Sequence, residues 1–379
     1  MYVPAEHGLH PTMFFRPRDV APLPFPMSAP RRRYFHRARN AIYHLCCALG
    51  LGPGETVLVP DYHNGNEVGA IRAAGANVRF YRVDRQFEAD LDDLARLCRS
   101  TNARALFVIH YFGWAQPVKE LMALCEARGM VMIEDCALSL LSETLGQPLG
   151  SFGDYATYCL YKTLPVPNGG VLVENDGALD ALSDLALHPC SLATRVGRTL
   201  ELSLEWLRGR AYPVGQAAFA LKRAGGRALA ALRVPRVPFG DLGFDLPSVD
   251  IAAMPLSLAL LERFDYDEIR RRRRRNFAGL HDRLAGRVGL LPRDLEPGVC
   301  PLLFPLLAPD KPGAAAALRR AGVDAMEFWN DGDPAARGPA HADAVFLREH
   351  VVELPIHQDI TDEQVERMAD QVLALGLHY

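Results

Sequence analysis

The chain has 379 residues, with 42 Lys and Arg against 45 Asp and Glu, a formal net charge of −3 and 49% apolar residues. That length supports a large domain plus a smaller one, and the near-neutral balance gives no reason to expect a nucleic acid or an anionic membrane as partner. Eight cysteines lie scattered through apolar segments without C-x-x-C spacing, and the start MYVPAEHGLHPTMFF lacks the basic-then-apolar pattern of a secretion signal, so reduced thiols in a cytoplasm are expected.

In chain order, apolar residues recur at helical spacing from Asn40 to Leu51, and Gly52-Pro53-Gly54 ends that run. VLVP (57–60), VRFYRV (78–83), ALFVIH (105–110) and VMIED (131–135) read as strands. EVGAIRAAG (67–75), FEADLDDLARLCRS (87–100) and VKELMALCEARG (118–129) read as the helices between them. Such alternation predicts an α/β fold, a mostly parallel sheet with helices on both faces, in which ligands collect beyond the carboxyl ends of the strands. YATYCLY and GGVLVEN add two further strands.

Residues 178–232 are Ala-, Leu- and Arg-rich and read as amphipathic helices, an excursion packed on the main domain or a second subunit, with peripheral membrane contact the less favoured use. The Pro- and Gly-rich loop 235–248 suits a boundary, giving a large domain over 1–240 and a smaller α+β domain over 241–379. The second begins with one long helix from about Val249 to Leu284, whose six arginines (Arg270 to Arg275) are expected on a solvated, salt-bridged surface.

Asp135 stands at a carboxyl strand end, and Lys162 follows a later apolar strand across a glycine-rich turn. The other lysines, Lys119, Lys222 and Lys311, follow no core strand. An acid and an amine so placed are what pyridoxal 5′-phosphate (PLP) chemistry requires. The acid keeps the pyridine nitrogen protonated, and the amine carries the cofactor's aldehyde and moves protons. Lys162 and Asp135 are therefore the candidate catalytic pair, while Glu134 alternates to the other face of its strand. His63, beside Tyr62 in PDYHNGNE, is the candidate to cover the ring. The start of the first helix at Arg39-Asn40-Ala41, the Thr157 hydroxyl and Asn168 are candidates for the phosphate. Cys136 and Cys159 read first as core filling.

Several segments resemble the DegT/DnrJ/EryC/StrS sugar aminotransferases, within fold type I PLP enzymes. They are LGLGPGETVLVP (49–60), AAGANVRFYRVD (73–84), ALFVIHYFGWAQP (105–117), IEDCA (133–137), GQPLGSFGD (146–154), NGGVLVEND (168–176) and ELPIHQDITDEQVERM (353–368). IEDCA followed by GSFGD at this spacing is the most specific of these. The resemblance implies a homodimer with shared active sites, glutamate or glutamine as amino donor, and a keto acceptor of the nucleotide-linked hexose type. Asp135 matches the family's pyridine-binding aspartate and Lys162 its cofactor-holding lysine. The stretch between GSFGD and Lys162 is two residues shorter than is usual, so Thr157 and Cys159 both compete for the phosphate serine's place. Leu138 stands where glutamine or histidine often approaches the ring. Elimination chemistry at the same site, or a PLP-binding scaffold without turnover, are the alternatives.

Overall fold

The computed structural model describes residues 2–18, 21–231 and 243–377, with the side chains of 226–231 left aside. The expected boundary at 240/241 lies outside the described residues, as does most of the 235–248 loop.

The larger part of the chain runs β1 (Arg32–Phe35), α1 (Ala38–Ala48), β2 (Thr56–Pro60), α2 (Asn66–Ala73), β3 (Asn77–Tyr81), α3 (Leu91–Ser100), β4 (Ala103–Ile109), α4 (Val118–Arg128) and β5 (Val131–Asp135). A two-residue hairpin, β6 (Glu143–Thr144) and β7 (Gln147–Pro148), precedes β8 (Tyr155–Cys159) and β9 (Gly170–Glu174). Seven strands form one sheet in the order β1-β9-β8-β5-β4-β2-β3. β3, β2, β4, β5 and β8 are mutually parallel, and β9 runs antiparallel to both neighbours. The α/β expectation is met. β2, β4 and β5 read as almost unbroken apolar runs because helices cover both faces, and Val57, Leu58, Leu106, Phe107 and Ile133 are buried among them.

The excursion forms a short α5 (Asp180–Ser183) and two long helices, α6 (Leu192–Arg210) and α7 (Tyr212–Ala231). Ser191 caps α6 by accepting from the Thr194 amide. Among the described residues no helix is long and apolar enough to cross a membrane.

The expected long helix from Val249 is broken in two. α8 (Pro255–Leu261) starts on a proline, which sets φ but breaks an incoming helix, and α9 (Tyr266–Leu284) starts afresh where the Asp265 carboxylate accepts from the Glu268 amide. The arginine run also departs from expectation. Arg270, Arg271, Arg272 and Arg275 pair with Glu143, Glu268 and Asp362 near the surface. Arg273, however, is buried, donating to Gln358 Oε1 at 3.1 Å, Leu302 O at 3.0 Å and Thr163 O at 3.2 Å. The smaller part continues through β10 (Leu303–Leu307), α10 (Lys311–Arg320), α11 (Ala342–His350), β11 (Val351–Pro355) and α12 (Asp362–Ala374), with β10 and β11 antiparallel. This is the expected α+β unit. Arg273 ties it to the turn that follows Lys162.

Residues 2–10 run as a strap across the smaller part. Val3 bridges Val323, His357 Nε2 lies 3.1 Å from Pro4 O, Gly8 N donates to Asp359 Oδ2 at 3.2 Å, and Leu9 N donates to Leu202 O on α6 at 3.0 Å.

Gly170 opens β9 directly against the start of α1, and a Cβ there would come within 2.2 Å of the Arg37 carbonyl carbon. Gly170→Ala should push the α1 terminus off the sheet and cost about 1–3 kcal/mol, measured by urea unfolding of the full chain.

Candidate active site

The two acids of β5 point to opposite faces and have opposite fates. Glu134 is buried but fully partnered: Oε1 accepts from the amides of Phe152 (2.8 Å) and Gly153 (2.6 Å), and Oε2 from Gly150 (3.0 Å). His110 Nε2 lies 2.8 Å from Oε2, and its Nδ1 accepts from the Gln116 amide, which leaves Nε2 as the donor. The carboxylate of Asp154 accepts from the Met132 amide at 2.7 Å. The GSFGD turn is therefore a cradle for Glu134, and its glycines are required by space: a Cβ at Gly150 would meet the Tyr158 hydroxyl at 1.9 Å, and one at Gly153 the Met132 carbonyl at 2.7 Å.

Asp135 faces the other way, into a pocket of about 520 Å³ lined also by Lys162, Cys159, Arg39, Glu67 and Trp329. Its Oδ1 accepts from the Ala137 amide at 2.8 Å. Burial, with Glu67 nearby, raises its pKa to about 7. Lys162 ends a single 3₁₀ turn, Leu160–Lys162, that follows β8. It lines this pocket and also a second cavity of about 840 Å³, whose walls include His7 of the strap, Arg273 and His357. Burial and Arg273 push His7 down to about 3, so its imidazole is neutral.

The pocket meets α1 at Arg37, Ala38 and Arg39. Arg37 occupies the cap position without a side-chain cap, and the helix begins at Ala38, two residues before the expected Asn40. Burial and Arg39 lower Arg37 to about 10, which leaves it cationic at neutral pH. Arg39 donates to Asn66 Oδ1 at 2.6 Å and to Gly243 O.

Other sequence candidates lie elsewhere. Asn40 belongs to the helix start, but its side chain is turned away, donating to the carbonyls of Ser248 (2.8 Å) and Val249 (2.9 Å), while Ala41 is core. His63 does not reach the pocket. It is fully buried, stacked on Phe80 of β3 at 5.2 Å and 9°, and neither ring nitrogen has a hydrogen-bond partner. Burial and Arg348 drive it down to about 3, so it packs there as a neutral ring. The same loop instead presents Asn64, Asn66 and Glu67. The aromatic side chain from the smaller part that lines the pocket is Trp329, held at φ 53° and stacked on Phe112. No sequence signal marked it, because it lies almost 200 residues from Asp135 in an irregular loop. Asn168 is also absent from the pocket lining. It accepts from the Met254 amide and the Ser257 hydroxyl, both at 2.9 Å, and contacts His36, which makes it a junction beneath α8. Of the two phosphate candidates on β8, Cys159 lines the pocket, while Thr157 lies deeper, opposite Asp135 in the register, its hydroxyl without a partner.

Residues 38–204 match the sequence profile of the DegT/DnrJ/EryC1/StrS aminotransferase family. That segment, from the start of α1 into α6, is where the chain is similar to the family. GDP-perosamine synthase of Vibrio cholerae is 28% identical over 153 residues, 40% of each chain. The dTDP-4-dehydro-2,3,6-trideoxy-D-glucose 4-aminotransferase of Saccharopolyspora spinosa is 32% identical over 149 residues, 38% of each. The similarity thus spans about two fifths of the length of these relatives. At the level of fold, Spr1654 of Streptococcus pneumoniae, provisionally assigned as a sugar aminotransferase and solved in a PLP form, superposes with a TM-score of 0.66 at 18% identity, covering 99% of both chains.

Asp135 keeps its proton in the folded chain up to about pH 7, whereas the unfolded chain releases it near pH 4. The stability this proton contributes is present in full below pH 4 and is lost as pH rises through 7. Cofactor-free Asp135→Asn, which retains an acceptor for Ala137, should match the parent at pH 4. At pH 8 it should be more stable, by up to about 1.4 kcal/mol for each pH unit separating the two values. Chemical denaturation at both pH values measures this.

Proposed function

We propose that this chain is a PLP-dependent aminotransferase, moving an amino group from an amino acid, glutamate or glutamine, to a keto acceptor of the nucleotide-linked sugar class. The observation that carries the reading is the convergence of Asp135 and Lys162 on one pocket that is also lined by the cationic start of α1. The residues present fit PLP. The pocket offers a buried acid at one end, an amine beside it, and two arginines with a helix N-terminus where a phosphate would sit. The names of the relatives and the PLP form of the Streptococcus protein support the same choice.

Bound PLP supplies an electron sink for charge left on a substrate carbon. Asp135 holds the proton at the pyridine nitrogen and balances its charge. Lys162 would hold the cofactor at its aldehyde carbon. Its amine would also be the base placed to take the proton from the donor's α carbon. Arg37 and Arg39 hold the phosphate, and Leu138 and Trp329 supply apolar walls that keep water from the ring. Because Lys162 also borders the second cavity, substrates are assigned to that side, between the strap and the smaller part.

A homodimer belongs to the proposal. α6 exposes Leu192, Val196 and Leu200 at helical spacing, beside a groove lined by Met254, Pro255 and Leu256. This stripe suits a second subunit better than a lipid surface. We place the enzyme in the cytoplasm, supported by its eight unpaired cysteines.

Adding PLP to the purified chain should produce the visible absorption of lysine-held cofactor, and glutamate should bleach it. Lys162→Ala should abolish both the band and turnover. Asp135→Asn should keep cofactor binding and lower turnover by about two orders of magnitude or more, read in a coupled glutamate assay. Full turnover in either variant would remove that residue from its role.

A further inference from the structure

A second carboxylate stands in the pocket with Asp135. Glu67, in the first turn of α2, is buried and lines the same wall. Its Oε1 accepts from the Asn64 amide at 2.7 Å, which fixes the side chain against the helix start. We infer that Glu67 is a positioning residue for the cofactor's nitrogen end, and that Glu67 and Asp135 together hold one proton which a pyridine nitrogen set against Asp135 takes up. This rests on the PLP reading above.

The physical reason is that two anions cannot be kept cheaply in one dry pocket, so the last proton to leave belongs to the pair. Burial raises both groups, and the charge of Glu67 raises Asp135 further. The other titratable or charged groups around them are Cys159 at the end of β8, Tyr161 and Lys162 beyond it, Arg37 and Arg39 at α1, and Tyr111 after β4. The proton balance is simple. The pair gives up its one proton, the ring nitrogen gains it, and Asp135 is left as an anion against a cation. Nothing is drawn from solvent.

Glu67→Gln separates this role from helix capping, because the glutamine oxygen still accepts from Asn64 while the charge is gone. In the cofactor-free full chain labelled with ¹³C at Asp and Glu carboxyls, Asp135→Asn identifies the Asp135 signal. The midpoint of that signal should fall by about one pH unit or more in Glu67→Gln. Coupling is reciprocal, so the Glu67 midpoint should fall in Asp135→Asn, an arm that remains if Glu67→Gln does not fold. Calorimetry of PLP binding at neutral pH in buffers of different ionisation enthalpy should show up to one more proton drawn from solvent by Glu67→Gln than by the parent. Unmoved midpoints, or equal proton uptake, would overturn the inference. Failure of the parent chain to bind PLP at all would overturn the aminotransferase reading while leaving the carboxyl midpoints to decide whether the pair is coupled.

Discussion

A buried carboxylate that faces away from the pocket is what the candidate site rests on. Glu134 sits in the interior at the end of β5, where an unpaired charge would cost several kcal/mol. Three amides of one glycine-rich turn and the His110 ring offset that cost. Satisfying Glu134 pins the turn beneath the strand end, and the turn leads straight into β8, whose exit carries Lys162. The next residue, Asp135, is thereby held rigidly at the mouth of the sheet with far fewer donors. Neighbouring acids on one strand divide the work: one gives rigidity, and the other retains a perturbed proton affinity because the surroundings do not satisfy it.

Much of this was legible from residues alone. Strands buried on both faces leave continuous apolar runs, so β2, β4 and β5 were readable, and the acid at the end of β5 and the lysine after β8 followed from their positions. The strength of IEDCA with GSFGD as a pair now has a mechanism, since the second motif is the hydrogen-bond cradle of the first. What failed was the direction of single side chains in loops. His63 was a reasonable choice by type and place, yet Phe80 on the neighbouring strand offered it a parallel face, and the turn through Gly65 (φ 104°) gave the pocket to Asn64, Asn66 and Glu67 instead. Asn168 had the right neighbourhood and the wrong orientation. Local pattern also could not foresee Trp329, which arrives from the irregular stretch between α10 and α11.

The arginine run shows a different limit. Six identical residues on a helix carry no facial signal, so one buried member cannot be told from its solvated neighbours. Only packing makes Arg273 special: its guanidinium meets oxygens of Gln358 and Leu302 in the smaller part and of Thr163 next to Lys162. It thereby couples the position of the smaller part to the turn that carries the amine, and any movement between the two parts would be felt at Lys162.

The strap has a consequence for how the molecule is assembled. Its bridge joins Val3 to Val323, and its amide at Gly8 ends on Asp359. Closing contacts of such sequence separation is entropically expensive, and they form late. One wall of the cavity lined by His7 and Lys162 is therefore unavailable until the last third of the polypeptide has emerged and packed. A nascent chain stalled before that point would hold a finished sheet and both acids of β5, yet offer an open trough where the complete fold has a room.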